Sequence, residues 1–215
     1  MQKKTYAVLG LGRYGTAVAK ELVKSGMEVI AVDKNEQIVQ DSSVYLPICK
    51  CADITDPEVI SELGISNADV VIVAMASSLE GSILAITLCK EAGVKTVIAK
   101  CANETHRKIL KRVGADMVVF PENESGTRLA KNLLTSGFTD ILTLSDDLSL
   151  VELTARDEWV GKSLKELNLR KKYTVNVVAF RKNGKITAPV NPEELLDKDT
   201  EIIAIVNPAK LSKLK

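Results

Sequence analysis

The sequence predicts an α/β protein in which a doubly wound parallel sheet is followed by a smaller α+β domain. Short apolar runs alternate with helical patterns along the first 120 residues, which is typical of βαβ units. The first apolar run ends in the glycine-rich turn GLGRYG at residues 10–15. From about Thr139, β-branched runs are joined by turns, and the pair Asn183-Gly184 indicates an antiparallel hairpin.

The glycine-rich turn has the spacing G-x-G-x-x-G, formed by Gly10, Gly12 and Gly15. In such a turn the first glycine allows a tight bend, the second lets the backbone approach a phosphate, and the third lets helix and strand pack closely. The helix that follows points its free N–H groups and the positive end of its dipole to the same place, which favours an anion. The spacing alone is a weak signal, because glycine-rich turns are common, so the neighbouring strands have to support it.

Acidic residues follow the second and third predicted strands. Asp33 lies 18 residues after Gly15, close to the offset expected for a carboxylate that binds the ribose hydroxyls of a nucleotide. Its alternative role is to cap the next helix. Asp53 lies where the third strand gives way to a predicted helix over Thr55–Leu63, and the sequence leaves open whether it faces the base or ribose or only caps that helix.

Six predicted strands with five intervening helices make a complete Rossmann-type unit in about 120 residues. The predicted strands are Tyr6–Leu9, Glu28–Val32, Leu46–Lys50, Val70–Ala74, Thr96–Ala99 and Met117–Phe120. The fourth is continuously apolar, as expected of a buried parallel strand, and the small residues 75–77 after it can lie along a flat ring. Lys100 follows the fifth strand, so it lies either on the ligand edge of the sheet or on the surface as a solvated lysine.

The predicted helix from Thr127 to about Ser136 carries an apolar stripe that has to be buried against a partner subunit or the next domain. We therefore divide the chain into a nucleotide-binding domain at residues 1–121, a connecting helix and dimer contact at 122–138, and a small α+β domain at 139–215. A core of this last size is marginal on its own, so we expect the small domain to dimerise or dock.

Composition excludes several classes of protein. The chain has 29 basic and 28 acidic residues and only 4 % aromatic residues, which argues against a nucleic-acid-binding surface. No apolar run approaches the roughly 20 residues of a membrane span, and the first residues lead straight into a strand without room for a signal peptide, which predicts a cytoplasmic protein. The four cysteines lack zinc-site spacing, and we expect them to be reduced thiols.

Residues that would catalyse a reaction are missing from the sequence. A Rossmann-type dehydrogenase needs a second domain with a proton donor, yet the segment from 139 onward contains neither histidine nor cysteine. The sequence also lacks a nucleophile elbow and a Walker A loop. A nucleotide site without such groups indicates a sensor rather than an enzyme. An NAD(P)-dependent oxidoreductase with a reduced substrate domain, or an interaction module with a vestigial nucleotide site, remains an alternative.

Several motifs together resemble the RCK family, and more closely the cytosolic regulatory subunits of Trk and Ktr potassium uptake systems. They are the sequences LGLGRYG at 9–15, AVD at 31–33, ADITD at 52–56 and GAD at 114–116, with the β-rich tail after them. The resemblance covers nearly the whole chain. It implies homodimers assembled into a ring, an octamer in the family, that sits on the inner face of the cell membrane beneath a potassium channel or transporter and gates it in response to nucleotide.

The resemblance also implies a ligand and its contact residues. Members with an arginine inside the glycine loop, as Arg13 here, look like the ATP/ADP-binding branch, whereas members without it look more like NAD(H) binders. An arginine can form charge-assisted bonds to a terminal phosphate, including across a dimer interface, although Arg13 can also be a solvated residue at a helix start. The implied cofactor-binding residues are Gly10, Leu11, Gly12, Arg13, Tyr14, Gly15, Asp33, Lys34, Cys51, Ala52, Asp53, Ile54, Ala74, Met75, Lys100 and Glu122.

Two further ligands follow from the resemblance alone. Glu122 falls where family members place an acid near the nucleotide phosphates, so it is a candidate ligand for Mg²⁺, or else a helix-start glutamate favoured by the helix dipole. Arg170 and Asn176 fall where some Ktr subunits bind cyclic di-AMP at a C-terminal dimer interface. Near these two residues, Asn168 stands where the family usually has an acid. The alternative to a ligand site is that this segment is an ordinary structural turn and strand.

Overall fold

The computed structural model describes residues 4–134, 138–145, 147–207 and 209, with the backbone alone at 138–141 and 143. The chain divides into two compact units, Met1–Glu122 and Asn123–Lys215, and each is described by itself. Thr135 and Ser136, where the predicted connecting helix ends, lie outside the described residues. None of the helices in the described ranges is long and apolar enough to cross a membrane.

The first unit is built on a six-stranded parallel sheet. Its strands are β1 (Thr5–Leu9), β2 (Glu28–Asp33), β3 (Ile48–Cys51), β4 (Val70–Val73), β5 (Thr96–Lys100) and β6 (Met117–Val119). They lie in the order β3-β2-β1-β4-β5-β6, so the direction of winding reverses between β1 and β4. The predicted doubly wound fold is thereby confirmed, and the crevice at this reversal is where such sheets bind ligands.

Helices cover both faces of this sheet. They are α1 (Arg13–Lys24), α2 (Glu36–Ser43), α3 (Pro57–Glu62), α4 (Leu79–Glu91) and α5 (Glu104–Val113), with a 3₁₀ turn at Ile65–Asn67. Val8 packs with residues of α1 on one face, whereas Leu9 and Val73 pack with residues of α4 on the other. Because both faces are covered, the central strands consist almost entirely of apolar residues.

Helix α3 begins later than the predicted Thr55. The Asp56 side chain accepts a hydrogen bond from the Glu58 N–H, and Pro57 occupies the first helical position. The third strand is also displaced, to Ile48–Cys51, because Leu46 is buried with α1 and α2 instead of pairing in the sheet. These differences concern element boundaries and leave the topology unchanged.

Helix α6 (Pro121–Leu134) follows β6 directly and begins six residues before the predicted Thr127. Proline favours the first turn of a helix because its missing N–H would have no partner there. The apolar stripe expected on this helix is present, with Leu129, Leu133 and Leu134 all more than half exposed. No residue of α6 is buried within the part of the chain that the structure describes.

The second unit holds a five-stranded antiparallel sheet. Its elements are β7 (Phe138–Thr143), β8 (Ser149–Thr154), α7 (Leu164–Leu167), α8 (Leu169–Tyr173), β9 (Asn176–Lys182), β10 (Lys185–Thr187) and β11 (Glu201–Val206). The strand order is β10-β9-β11-β8-β7, and the predicted hairpin turn at Asn183 and Gly184 joins β9 to β10. One face is buried, where Phe180 and Ile202 pack with Trp159.

Candidate functional site

A cleft of about 470 Å³ opens at the carboxyl edge of the parallel sheet. It lies at the winding reversal, because its walls come from the segments that follow β1, β2, β3 and β4. The lining residues that the sequence analysis singled out are Gly10, Gly12, Asp33, Lys34, Ala52, Asp53, Ile54, Ala74 and Met75. The other proposed cofactor residues, Leu11, Arg13, Tyr14, Gly15, Cys51, Lys100 and Glu122, do not line it.

The three glycines of the turn differ in what surrounds them. Gly10 has a φ of +98°, and a β-carbon there would lie 2.8 Å from Met75 Cγ. A β-carbon at Gly15 would lie 1.9 Å from the Gly10 carbonyl oxygen, so helix and strand pack at this point. Gly12 has nothing within 4 Å of a β-carbon, and its φ of −62° suits any residue. The open side of the turn is therefore at Gly12, where a ligand can approach the backbone.

Helix α1 begins at this open side. Gly12 is its N-cap residue and has no side chain to cap the helix, and the first turn of α1 contains no acidic residue. The first N–H groups of a helix need acceptors from outside the helix, and they carry the positive end of the helix dipole. The start of α1 is thus suited to bind an anion such as a phosphate.

Asp33 fixes the glycine-rich turn to the end of β2. One carboxylate oxygen accepts a hydrogen bond from the Leu11 N–H at 2.6 Å, and the other accepts one from the Asn35 N–H at 2.9 Å. The cap of α2 is Asn35, whose side chain accepts from Gln37 and Ile38, so the alternative that Asp33 caps the next helix is wrong. Each carboxylate oxygen keeps a second lone pair, which a ribose hydroxyl in the cleft can use.

Asp53 forms a local turn on the opposite wall of the cleft. One of its carboxylate oxygens accepts hydrogen bonds from the Thr55 N–H at 3.0 Å and the Thr55 hydroxyl at 2.7 Å. These bonds, the backbone one first, lower the pKa of Asp53 below its usual range. Asp56 is the cap of α3, so the alternative that Asp53 only caps that helix is also wrong. Asp53 is exposed at the cleft, next to the buried Ile54.

Sequence reasoning placed Ser77 beside a flat ring but missed the wall that the start of α4 contributes. Ser78, Glu80, Gly81 and Leu84 line the cleft together with Ser77. The Ser78 hydroxyl oxygen accepts the Gly81 N–H at 3.0 Å and caps α4, and Glu80 adds a negative charge to the first turn. A cap residue directly after a central strand is a recognisable signal, because the helix it starts has to begin at the ligand edge. Val32, Ile38 and Thr55 complete the lining.

Comparisons with known proteins agree with this architecture. Residues 6–121 match the TrkA-N domain model, and residues 148–215 match the TrkA-C domain model. The chain is 35 % identical over 213 residues to Ktr system potassium uptake protein C of Bacillus subtilis, covering 99 % of this chain and 96 % of that protein. The chain belongs to the RCK family of Ktr and Trk potassium uptake proteins.

Other relatives extend the same result. Ktr system potassium uptake protein A of Vibrio alginolyticus is 34 % identical over 99 % of this chain and 97 % of its own length. Among solved structures, the GsuK channel bound to NAD superposes with a TM-score of 0.68 at 17 % identity, covering 99 % of this chain and 39 % of that chain. At that identity the likeness shows the fold alone.

In this RCK chain, Arg13 is exposed and lies outside the cleft. It lines a shallow surface depression between α1 and α2, together with Lys20, Asp41 and Tyr45. Gly15 packs against the Gly10 carbonyl oxygen inside the turn. The Leu11 N–H donates its hydrogen bond to the Asp33 carboxylate. Cys51 is an exposed thiol whose Sγ lies 3.6 Å from the Lys34 carbonyl oxygen.

Lys100 and Glu122 meet next to the cleft rather than in it. The Lys100 ammonium donates to the Glu122 carboxylate at 2.5 Å, and this hydrogen bond lowers the pKa of Glu122. The Lys100 side chain is 14 % exposed, so the alternative of a solvated surface lysine is wrong. Its Nζ also lies 5.7 Å from the centre of the Tyr14 ring.

Within the described residues, no group of three or more histidine, cysteine, aspartate or glutamate side chains is arranged to hold a metal ion. The Glu122 carboxylate is already occupied by Lys100, so the residues of a single chain do not fit a Mg²⁺ site there. A cation at Glu122 would have to draw its other ligands from nucleotide phosphates or from another chain.

The two candidate residues for a second ligand lie in the second unit. Arg170 is on α8 and Asn176 opens β9, and both side chains are exposed. Asn168, which replaces the usual acid of the family, adopts a left-handed conformation with a φ of 49° between α7 and α8. The site for cyclic di-AMP stays a prediction from resemblance.

Proposed function

We propose that this chain is a nucleotide-binding regulatory subunit that gates a membrane potassium transporter or channel, with ATP or ADP bound in the cleft. The observation that carries the proposal is the start of α1, which has no side-chain cap and opens beside Asp33 at the winding reversal. The relatives named above as Ktr potassium uptake proteins support the assignment to potassium transport. In this function binding of a nucleotide, rather than its conversion, is the signal.

The cleft suggests how the nucleotide lies in it. The phosphates accept hydrogen bonds from the first N–H groups of α1, and the ribose hydroxyls donate to Asp33. The base lies against Ile54, where Asp53 can accept from an exocyclic amino group. Lys34 at the rim supplies a positive charge beside these acids.

Discrimination between ATP and ADP is assigned to Arg13. Because its side chain is exposed outside the cleft of its own chain, we propose that it reaches the γ-phosphate across a homodimer interface. The γ-phosphate then gives the two nucleotides different interaction free energies, which a conformational switch requires. Mg²⁺, if it takes part, is held jointly by Glu122 and the phosphates. In this proposal the dimers form a ring, an octamer in the family, on the inner face of the cell membrane.

NAD(H) is the second candidate ligand, and the lining of the cleft favours it. Besides the residues assigned above to one nucleotide, the cleft is lined by Ser77 and by Gly81 and Leu84 of α4, against which a second nucleoside can lie. A structure of the same fold, the GsuK channel, is described as bound to NAD. Calorimetric titration with ATP, ADP and NADH decides between the ligands, and absence of binding by all three would overturn the proposed function.

The ribose contact is tested with Asp33→Ala. Loss of the carboxylate removes charge-assisted hydrogen bonds, so we expect affinity for ATP, ADP and NADH alike to fall about tenfold or more. The matched control is Asp69→Ala, because Asp69 accepts the Thr5 N–H at 2.9 Å at the opposite end of β1. Equal affinities of the Asp33→Ala variant and the wild type in calorimetry would contradict the assignment.

The proposed role of Arg13 in distinguishing ATP from ADP is tested with Arg13→Ala. We expect the variant to lose affinity for ATP while its affinity for ADP changes little, because only ATP carries the phosphate that Arg13 contacts. Lys24→Ala, in the last turn of α1, is the control for removal of a positive charge from the same helix. An equal loss for both nucleotides would exclude the γ-phosphate role.

Co-purification with a membrane subunit, and nucleotide-dependent potassium flux through that complex, test the gating itself.

A further inference from the structure

The ion pair between Lys100 and Glu122 joins the edge of the sheet to helix α6. Lys100 is the last residue of β5, and Glu122 is the second residue of α6, which continues from the first unit into the second. The two charged groups are 2.5 Å apart. The pair is therefore a polar contact that links the start of α6 to the ligand edge of the nucleotide unit.

The two partners are held very differently. The Glu122 side chain is 62 % exposed and lies in the first turn of α6, where the helix dipole favours a carboxylate. The charged carboxylate of Glu122 is therefore stabilised by water and by the helix dipole even when Lys100 is not paired with it. The Lys100 side chain is 14 % exposed, and a largely desolvated ammonium needs an anionic partner. Lys100 can leave Glu122 only for another anion.

The position of Lys100 indicates which anion that is. Its Nζ lies 5.7 Å from the centre of the Tyr14 ring, and Tyr14 is the second residue of α1. The same helix start, where Gly12 is an N-cap residue without a side chain, is where the cleft is suited to phosphate. The Lys100 ammonium thus contacts the carboxylate of α6 and lies near the ring of a residue in the first turn of α1, the helix whose start is suited to anions.

We propose that Lys100 exchanges partners when nucleotide binds: it pairs with Glu122 in the empty protein and with a nucleotide phosphate in the occupied one. The exchange releases the first turn of α6 and so carries the occupancy of the cleft to the helix that enters the second unit. This inference rests on the proposed function, because it requires a phosphate-bearing ligand at the start of α1. It adds the residue through which that ligand acts.

Competition between Glu122 and phosphate for Lys100 predicts that a substitution at Glu122 raises nucleotide affinity rather than lowering it. Removing the charge of Glu122 should strengthen nucleotide binding, because the empty protein no longer holds Lys100 back. The expected gain is about two- to fivefold, the range of a partly exposed ion pair. With divalent cations removed, a Glu122 that contacts the nucleotide directly would give the opposite sign.

The experiment is calorimetric titration of ATP into the full chain with a chelator present. We expect Glu122→Gln to bind about two- to fivefold more tightly than the wild type, and Lys100→Met to bind more weakly. The double variant should equal Lys100→Met, since the effect of Glu122 acts through Lys100. Lys90→Met is the matched control, because Lys90 pairs with Asp116 at 2.6 Å at the amino edge of the same sheet.

Unchanged or weaker binding by Glu122→Gln would overturn the inference, provided that the wild type binds ATP. Failure of the wild type to bind any nucleotide would instead overturn the proposed function. Hydrogen exchange provides a second readout on the same proteins. Nucleotide should speed exchange of the amides that are hydrogen-bonded to the first-turn carbonyl groups of α6 in the wild type, whereas in Glu122→Gln these amides should exchange fast with or without it. Slower exchange in the nucleotide-bound wild type would also overturn the inference.

Discussion

The start of α1 differs from the starts of the four helices that follow it in the same unit. Helices α2, α3, α4 and α5 each begin with a side chain that accepts a backbone N–H and each carry an acid in the first turn; these pairs are Asn35 and Glu36, Asp56 and Glu58, Ser78 and Glu80, and Asn103 and Glu104. Helix α1 begins at Gly12 and has neither feature. A side-chain cap stabilises a helix by a few tenths of a kcal/mol relative to glycine at the same position, so α1 lacks a small stabilisation that its neighbours have.

The difference shows where phosphate can bind. Helices α1 and α4 both begin at the cleft, but Ser78 already satisfies an N–H of α4 and Glu80 repels an anion there. At α1 a bound phosphate would supply the missing acceptor and the missing negative charge together. The starts of α1 and α4 are thus chemically distinct, and in the proposed function this asymmetry orients the nucleotide.

The substitution Gly12→Asp would break the comparison by giving α1 the features of its neighbours. The extended backbone at Gly12 accepts a side chain, and a β-carbon there meets nothing within 4 Å. We expect the fold to keep its stability or gain some, while the carboxylate repels phosphate and weakens ATP binding about a hundredfold. Thermal unfolding and calorimetry measure the two effects.

Gly12→Asn is the control for that experiment, because it adds a cap without a charge. We expect it to weaken ATP binding less than Gly12→Asp, since its amide competes for the N–H groups but does not repel the ligand. If Gly12→Asp bound ATP as well as the wild type, the phosphates could not lie at the start of α1, and the comparison between the helices would lose its functional meaning.

Gly15→Ala and Gly12→Ala sharpen the comparison by separating folding from binding within one turn. A methyl group at Gly15 would lie 1.9 Å from the Gly10 carbonyl oxygen, so we expect a loss of about 1–3 kcal/mol in the free energy of unfolding. A methyl group at Gly12 meets open space, so its effect on unfolding should stay below about 1 kcal/mol, the cost of alanine at an N-cap, while ATP binding weakens. Urea unfolding of both variants tests this, and equal stability losses would contradict it.

Local patterns in the sequence identified most of the first unit. Glycine spacing and the acid after each strand identify groups at one sheet edge, because parallel strands all present their carboxyl ends there. Gly10, Asp33 and Asp53 were therefore found from sequence, and all three line the cleft. In the second unit the turn at Asn183 located the hairpin for a similar reason, since its backbone geometry is a local property.

What the sequence did not reveal depends on contacts between distant segments. The ion pair of Lys100 with Glu122 joins residues 22 positions apart. The sequence analysis considered each of the two residues separately and did not predict that they pair. Strand β7 was missed because its pairing with β8 defines it more than its own residues do. The role proposed for Arg13 and the dimer contact predicted for α6 both involve a second chain, so local sequence patterns do not determine them.

The smallest effect expected is at the opposite edge of the sheet, where an acid has a structural role only. The Asp116 carboxylate accepts hydrogen bonds from Lys90 and from the Val97 N–H, both at 2.6 Å, and these bonds, that of Lys90 first, lower its pKa. A carboxyl with a lower pKa in the folded than in the unfolded state stabilises the fold above the unfolded pKa, and this stabilisation is lost as pH falls through the folded pKa.

We therefore expect the wild type to lose unfolding free energy below about pH 4, and Asp116→Asn to show a shallower loss over the same range. Urea unfolding between about pH 3 and pH 7 measures both curves. At neutral pH the variant should be less stable than the wild type yet bind ATP equally well, because Asp116 lies away from the cleft. Parallel curves would show that Asp116 does not carry the acid dependence. Weaker ATP binding would show that the amino edge of the sheet is coupled to the cleft. The sheet would then not divide into a structural amino edge and a ligand-binding carboxyl edge.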